Sequence, residues 1–138
     1  MNERHELTYF TDRDLGHLFP RLLRDAGLKV ERHDDHFGPR TSDDEWLPIV
    51  ARHGWVAVTR DGRIRYSPMA LQVLMESGAR LFVVVGKLSS SESAELFLRW
   101  KGGIEDLARE HKRALIAKVR KDGVHEWLTH SQWSERRR

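Results

Sequence analysis

Three short stretches hold carboxylates that could act together. "TDRD" carries Asp12 and Asp14, "SDDE" carries Asp43, Asp44 and Glu45, and "TRD" carries Asp61. Basic residues are interleaved: Arg13 lies between the first two acids, Arg60 precedes Asp61, and Arg63 and Arg65 follow it. Carboxylates gathered without a partner raise one another's pKa, and a bound divalent cation removes that penalty. An oxygen-only donor set with neither His nor Cys suits Mg2+ or Mn2+. Guanidinium groups around such acids, with Lys87 further along the chain, suit a phosphodiester: an ion takes one phosphate oxygen and the cations hold neighbouring phosphates. Each piece also has a plainer reading. Asp61-Gly62 is a good two-residue hairpin turn. Asp43 and Glu45 complement a helix N-terminus. Asp14 serves as a cap or loop acid, and the arginines as a surface salt-bridge network. The case for chemistry is the convergence of the three stretches.

That convergence depends on the elements that carry them. Strand patterns fall at Leu7 to Thr11, Lys29 to Arg32, Trp55 to Thr59, Leu81 to Val85 and Ala114 to Val119. Between them lie helical patterns. Leu18, Leu22, Leu23 and Ala26 recur at helical spacing before Gly27, with Pro20 in the first turn. A second helix spans about Asp43 to His53, with Ser42 and Glu45 in capping-box positions and Pro48 arguing for a start nearer Asp44. Ser67-Pro68 opens a third that stops at Gly78. Ser89 and Glu92 open a fourth, through Trp100 and on past Gly102-Gly103 to His111. "KDGV" reads as a hairpin into "VHEWL", and "SERRR" as a disordered basic tail. "HDDH", His33 to His36, reads as a solvated loop, and Trp46 and Trp55 as packing residues.

The third and fourth strand runs are apolar throughout, as parallel strands covered on both faces should be. The fold class is therefore α/β, a three-layer α/β/α sandwich around a mostly parallel sheet. Residues 1–122 form the domain, and 123–138 an edge strand and basic tail. In such folds ligands bind at the C-terminal ends of the strands. Asp12, Asp14 and Asp61 follow strands that end on that edge, and the helix bearing Asp43, Asp44 and Glu45 begins there.

Composition limits the alternatives. The 138 residues suit one domain, and 39% hydrophobic content supplies a core. A net charge of +3 permits a polyanionic partner. With no cysteine, disulfides and thiolate metal sites are excluded, which fits a reducing cytoplasm. "MNERHELTYF" has no apolar leader core, and the longest apolar run, Leu81 to Val85, is too short to span a bilayer, so no membrane is expected.

"FTDRDLG", "SDDEWLPIVARHGWVAVTRDGRIR" and "RLFVVVGKLSSSE" together resemble the PIN-like domain superfamily, in particular its compact branch of VapC-type toxins. The resemblance runs from about Tyr9 to Val119. It implies a metal-dependent ribonuclease in which Asp12, Asp43 and Asp61 hold Mg2+ or Mn2+ and serve catalysis. Asp14, Asp44 and Glu45 are additional acids, and Arg13, Arg60, Arg63, Arg65 and Lys87 are the RNA-binding residues. It also implies a cognate antitoxin. Many members carry a fourth acid after the next strand, where Lys87 and Ser89 stand here. That departure leaves open a PIN-like RNA-binding module without catalysis. A receiver-like domain phosphorylated on Asp61 is a further alternative, since it too has acids after its first and third strands. Val124, Trp127, Leu128 and Trp133 make Val119 to Trp133 a candidate surface for antitoxin or for a homodimer; folding back onto the domain is the other reading.

Overall fold

Side chains two residues apart share a face of a strand, and that period builds two cores in this protein. The computed structural model describes residues 6–137. The first five residues of the stretch inspected for a leader, and Arg138 of the basic tail, lie outside them. The strands are β1 (Thr8–Thr11), β2 (Lys29–Arg32), β3 (Val56–Thr59), β4 (Arg80–Val84), β5 (Leu115–Arg120) and β6 (Gly123–Thr129). They form one sheet in the order β2-β1-β3-β4-β5-β6. β1 to β5 pair in parallel, and β6 is antiparallel to β5 at the edge. Helices α1 (Leu18–Asp25), α2 (His33–His36), α3 (Asp43–Arg52), α4 (Pro68–Ser77), α5 (Ser90–Arg99), α6 (Lys101–Glu110) and α7 (His130–Arg136) complete it.

On one face Tyr9, Val58, Phe82 and Val84 join Phe19 and Leu23 of α1 and Phe97 of α5. On the other, Phe10, Ala57, Leu81 and Val83 join Trp46 and Leu47 of α3 and Leu74 of α4. The expected three-layer α/β sandwich is the observed one. Phe10 shows how tightly the second core is built. Its ring centre lies 5.1 Å from that of Trp46 and is stacked on Trp55 at 9°. Truncating such a side chain to Ala typically costs about 3–5 kcal/mol.

The local start and stop signals largely hold. Pro20 sits in the first turn of α1. Ser67 Oγ accepts the Ala70 amide, Pro68 begins α4, and Gly78 ends it at φ 80°, a left-handed position that favours glycine. Ser89 and Glu92 form a full capping box.

Five readings are corrected. Ser42 makes no cap bond; its hydroxyl donates to Glu45 Oε1 at 3.0 Å, so the box is not formed, and α3 starts at Asp43 with Pro48 inside it. The fourth helix breaks at Trp100, so α5 and α6 are separate. "HDDH" is not a solvated loop but the turn α2, whose His33 is buried among Phe10, Phe37 and Trp46. "SERRR" is not disordered through Arg137: Ser134 to Arg136 belong to α7, opened by a Thr129–Gln132 capping box, and Arg137 stacks on Trp133. Leu128 is fully buried rather than exposed, while Val124, Trp127 and Trp133 pack against the two cores.

The last point follows from the sheet register. Ala117 pairs with Glu126 but Ile116 with Leu128, so Trp127 is the extra residue of a β-bulge. A bulge re-aims the side chains of the strand that carries it. Trp127 and Leu128 consequently share the core face instead of alternating.

Candidate active site

Register brings the acids together. Thr11 pairs with Val58, so Asp12 emerges from β1 beside Thr59, and its amide donates to Val58 O at 3.0 Å. Asp12 then caps a single 3-10 turn, Arg13–Leu15, accepting the Arg13 amide on Oδ1 at 2.8 Å. That turn carries Asp14 back over the end of β3. Thr59, fully buried, lies between the two carboxylates: its Oγ1 is 2.9 Å from Asp12 Oδ2 and 3.0 Å from Asp14 Oδ2. Its one proton can serve one of them fully. The Arg60 amide donates to Asp14, and the Asp61 amide donates to Thr59 Oγ1. Although Asp14 stands at the surface, its carboxylate turns inward onto these groups.

Asp43 arrives at the first turn of α3 and accepts the Trp46 indole N–H at 3.0 Å. Asp61 caps a second 3-10 turn, Gly62–Tyr66, that follows β3. It is not a hairpin turn. Arg63 clamps it, with Nε 2.9 Å from Oδ1 and Nη2 2.8 Å from Oδ2.

The protonation equilibria report the resulting field. Burial pushes the Asp12 carboxyl above its ordinary value, against the Thr59 bond, and the charges of Asp43 and Asp61 add to the rise. Asp14 is pushed up to about 6, first by burial and then by the charge of Asp12. Asp43 is raised by burial, with Asp61 and Asp44 contributing. Asp61 moves the other way, held below the usual carboxylate range by the Arg63 hydrogen bonds. Four carboxylates from three chain segments thus share one edge of the sheet. Their all-oxygen, partly desolvated and mutually repelling character fits a hard divalent cation. Among the described residues no three His, Asp or Glu side chains are gathered closely enough to chelate one ion in this conformation. Asp44 and Glu45 stand exposed beside Asp43, and Glu45 is taken by Ser42.

The basic residues are more engaged than their spacing suggests. Arg13 donates to Asp34 Oδ1 at 3.0 Å and Pro39 O at 2.9 Å, though 45% of its side chain remains exposed. Arg60 donates to Leu88 O at 2.7 Å and ties the end of β3 to the loop after β4. Arg65 donates to Gly62 O within its own turn. The Arg63 side chain is 90% exposed beyond its contact with Asp61. Lys87 stands exposed after β4. Two participants carry no sign in the sequence of belonging to this site. Thr59 gave only the signal of a hydroxyl at a strand end before "RD". His33, whose burial disfavours the charged imidazolium, borders the site through Asp34, which holds Arg13.

The strand order 2-1-3-4-5 is shared by other doubly wound folds, so topology alone leaves the receiver reading standing. Comparison with known families separates them: residues 7–86, more than half of the chain, match the PIN-like domain. The chain belongs to the PIN-like domain family. The match ends just after β4, short of the Val119 reached by the sequence resemblance. All four acids fall inside it. A protein of Mycobacterium tuberculosis named "Putative ribonuclease VapC45" is 36% identical over 80 residues. Those cover 54% of this chain and 58% of that relative, so the chain spans little more than half the relative's length. No solved structure matches.

Proposed function

We propose that this PIN-like protein is an endoribonuclease that works with Mg2+ or Mn2+ at Asp12, Asp14, Asp43 and Asp61. The observation that carries the reading is that these acids share the rim formed by the C-terminal ends of β1 and β3 and the start of α3, near enough to perturb one another's charge, with Asp14 in the company of Asp12 where a fourth acid is missing after β4. The chemistry an ion supplies when bound is neutralisation of the acids and acidification of a water for in-line attack. Around it, this chain's own groups orient and hold. Thr59 fixes the Asp12 and Asp14 carboxylates relative to each other. Arg13, Arg63 and Lys87 hold the phosphates flanking the scissile bond, while Arg60 ties the loop after β4 to the end of β3.

The test is cleavage of a defined RNA with Mg2+ or Mn2+, against an EDTA control and the Asp61→Asn variant, with circular dichroism confirming that the variant folds. Cleavage confined to the wild-type protein with added ion supports the reading. Cation-dependent cleavage that persists in Asp61→Asn rejects the assignment of Asp61. A second reading, an RNA-binding PIN-like module without catalysis, draws on the Arg63 clamp that already neutralises Asp61; RNA binding with no cleavage in either ion favours it. The relative's name supports the ribonuclease reading, and the VapC-type resemblance extends the proposal to a toxin role, a cognate antitoxin and a cytoplasmic location. No helix among the described residues is long and apolar enough to cross a membrane. Co-purification with the product of an adjacent small gene tests the antitoxin, and light scattering tests a homodimer.

A further inference from the structure

The turn capped by Asp61 ends in a ring that the fold leaves outside. Tyr66 is 70% exposed, the most exposed large hydrophobic side chain among the described residues. Its setting is nevertheless built. The Arg65 guanidinium carbon lies 5.0 Å from the Tyr66 ring centre and 5.5 Å from that of Trp127. Tyr66 meets Trp127 edge-on, with centroids 6.0 Å apart and rings at 80°. Trp127 is there because the β-bulge turns it to this face. Arg65 Nη1 is buried without a hydrogen-bond partner, so the guanidinium is held by the rings and by its bond to Gly62 O.

Resting on the ribonuclease reading above, we propose that Tyr66, backed by Arg65 and Trp127, is a stacking platform for a base of single-stranded RNA, at the far end of the turn that Asp61 caps. Stacking on aromatic rings and guanidinium planes is open to unpaired bases, whose faces are free, and closed to bases inside a duplex. The distance suits the role: five residues of 3-10 structure at 2.0 Å each place Tyr66 roughly 10 Å along the turn from Asp61. The charge suits it as well. Arg63 on the same turn is 90% exposed, which supplies a phosphate contact beside the base. Aromatic and arginine side chains are enriched at protein–protein interfaces as well; the exposed Arg63 on the same turn is what favours a polyanion here. Tyr66 is thus a substrate-positioning residue, and the platform makes the protein selective for unpaired RNA.

The experiment uses the full chain with Tyr66→Ala and Tyr66→Phe. Binding of a fluorescein-labelled, unstructured oligouridine is read by anisotropy in EDTA, with the same strand annealed to oligoadenosine as the duplex control. Cleavage of the single strand is read with Mn2+. Loss of one stacked base predicts about tenfold weaker single-strand binding for Tyr66→Ala. KM should rise in proportion with kcat retained, Tyr66→Phe should behave as wild type, and duplex binding should not change. Single-strand binding by Tyr66→Ala equal to wild type overturns the platform, and if the wild type still cleaves, the ribonuclease reading stands. Tyr66-dependent binding without any cleavage upholds the platform and removes catalysis. A change of mass in light scattering for Tyr66→Ala identifies the ring as a protein contact and overturns the proposal.

Discussion

The two ends of the acidic edge treat the same residue type in opposite ways. At the β1 end, Asp12 and Asp14 share one threonine proton, Asp14 faces the charge of Asp12, and both are pushed up. At the β3 end, Asp61 has a guanidinium to itself and is held down. The difference lies in the partners. A buried hydroxyl and backbone amides offset only part of the desolvation of a carboxylate, whereas a fork of N–H donors stabilises its charged form outright. The β1 end is therefore where an added cation relieves most, and the β3 end is where it must compete with Arg63.

Breaking the β1 end should have the largest consequence. Asp12→Asn keeps volume and removes one carboxylate charge, so on the proposed ion-dependent reading RNA cleavage with Mn2+ should fall by at least about a hundredfold, or 2.7 kcal/mol. Single-turnover kinetics measure it, and cleavage within tenfold of wild type would contradict the central place given to Asp12.

Thr59→Val tests the bridge itself. The substitution preserves shape but leaves Asp12 and Asp14 without their shared donor and the Asp61 amide without its acceptor. Unfolding free energy should drop by about 1–3 kcal/mol, the usual penalty for buried polar groups left unpaired. Urea denaturation measures the loss. An unchanged midpoint would mean that water replaces the hydroxyl fully.

Asp14 sharpens the contrast through pH. Its folded value of about 6 exceeds the ordinary 3.8, so the folded protein holds this proton more tightly than the unfolded chain does. Stability in EDTA should therefore decline as pH rises from about 4 through 6 and level off above. Asp14→Asn should reduce that decline, leaving the part owed to the raised Asp12 and Asp43, and raise stability at pH 7 by on the order of 1 kcal/mol, solvent screening at this surface position keeping the gain small. Melting curves across the range decide it, and a variant that parallels wild type at every pH would refute the assignment.

At the β3 end the smallest effect is expected. Arg63→Ala frees Asp61 from its clamp, so Mn2+ affinity, read by calorimetry, should rise by about two- to fivefold, within the modest worth of an exposed ion pair. The same variant should weaken RNA binding through loss of a phosphate contact. Weaker Mn2+ binding in Arg63→Ala would show that the guanidinium assists the ion instead of competing with it.

Much of this arrangement is legible from the chain itself. Alternation of Tyr9 with Phe10 and of Leu81 with Phe82 assigns residues to two faces, because side-chain direction in a strand has a period of two. Short-range signals such as Ser67-Pro68 and Ser89 with Glu92 mark helix starts, because the groups they satisfy lie within one turn. Parallel strands end on a common edge, which is enough to bring Asp12 and Asp61 to one rim with Asp43 beside them. What each acid touches there was left to the tertiary structure. Thr59 reaches Asp12 across 47 residues of sequence, and only the pairing of β1 with β3 sets that distance. Ser42 and Glu45 carried a capping-box pattern, yet the two side chains bond each other. His33 reads as polar, but the aromatic wall of Phe10, Phe37 and Trp46 takes it into the core. In "VHEWL" the alternation of apolar and polar residues breaks, but only the pairing of β5 with β6 makes that break a bulge that turns Trp127 towards Tyr66 and Arg65. Periods and caps are properties of neighbours along the chain. Register and burial depend on which distant segments meet, and they are what push Asp12, Asp14 and Asp43 up at this edge.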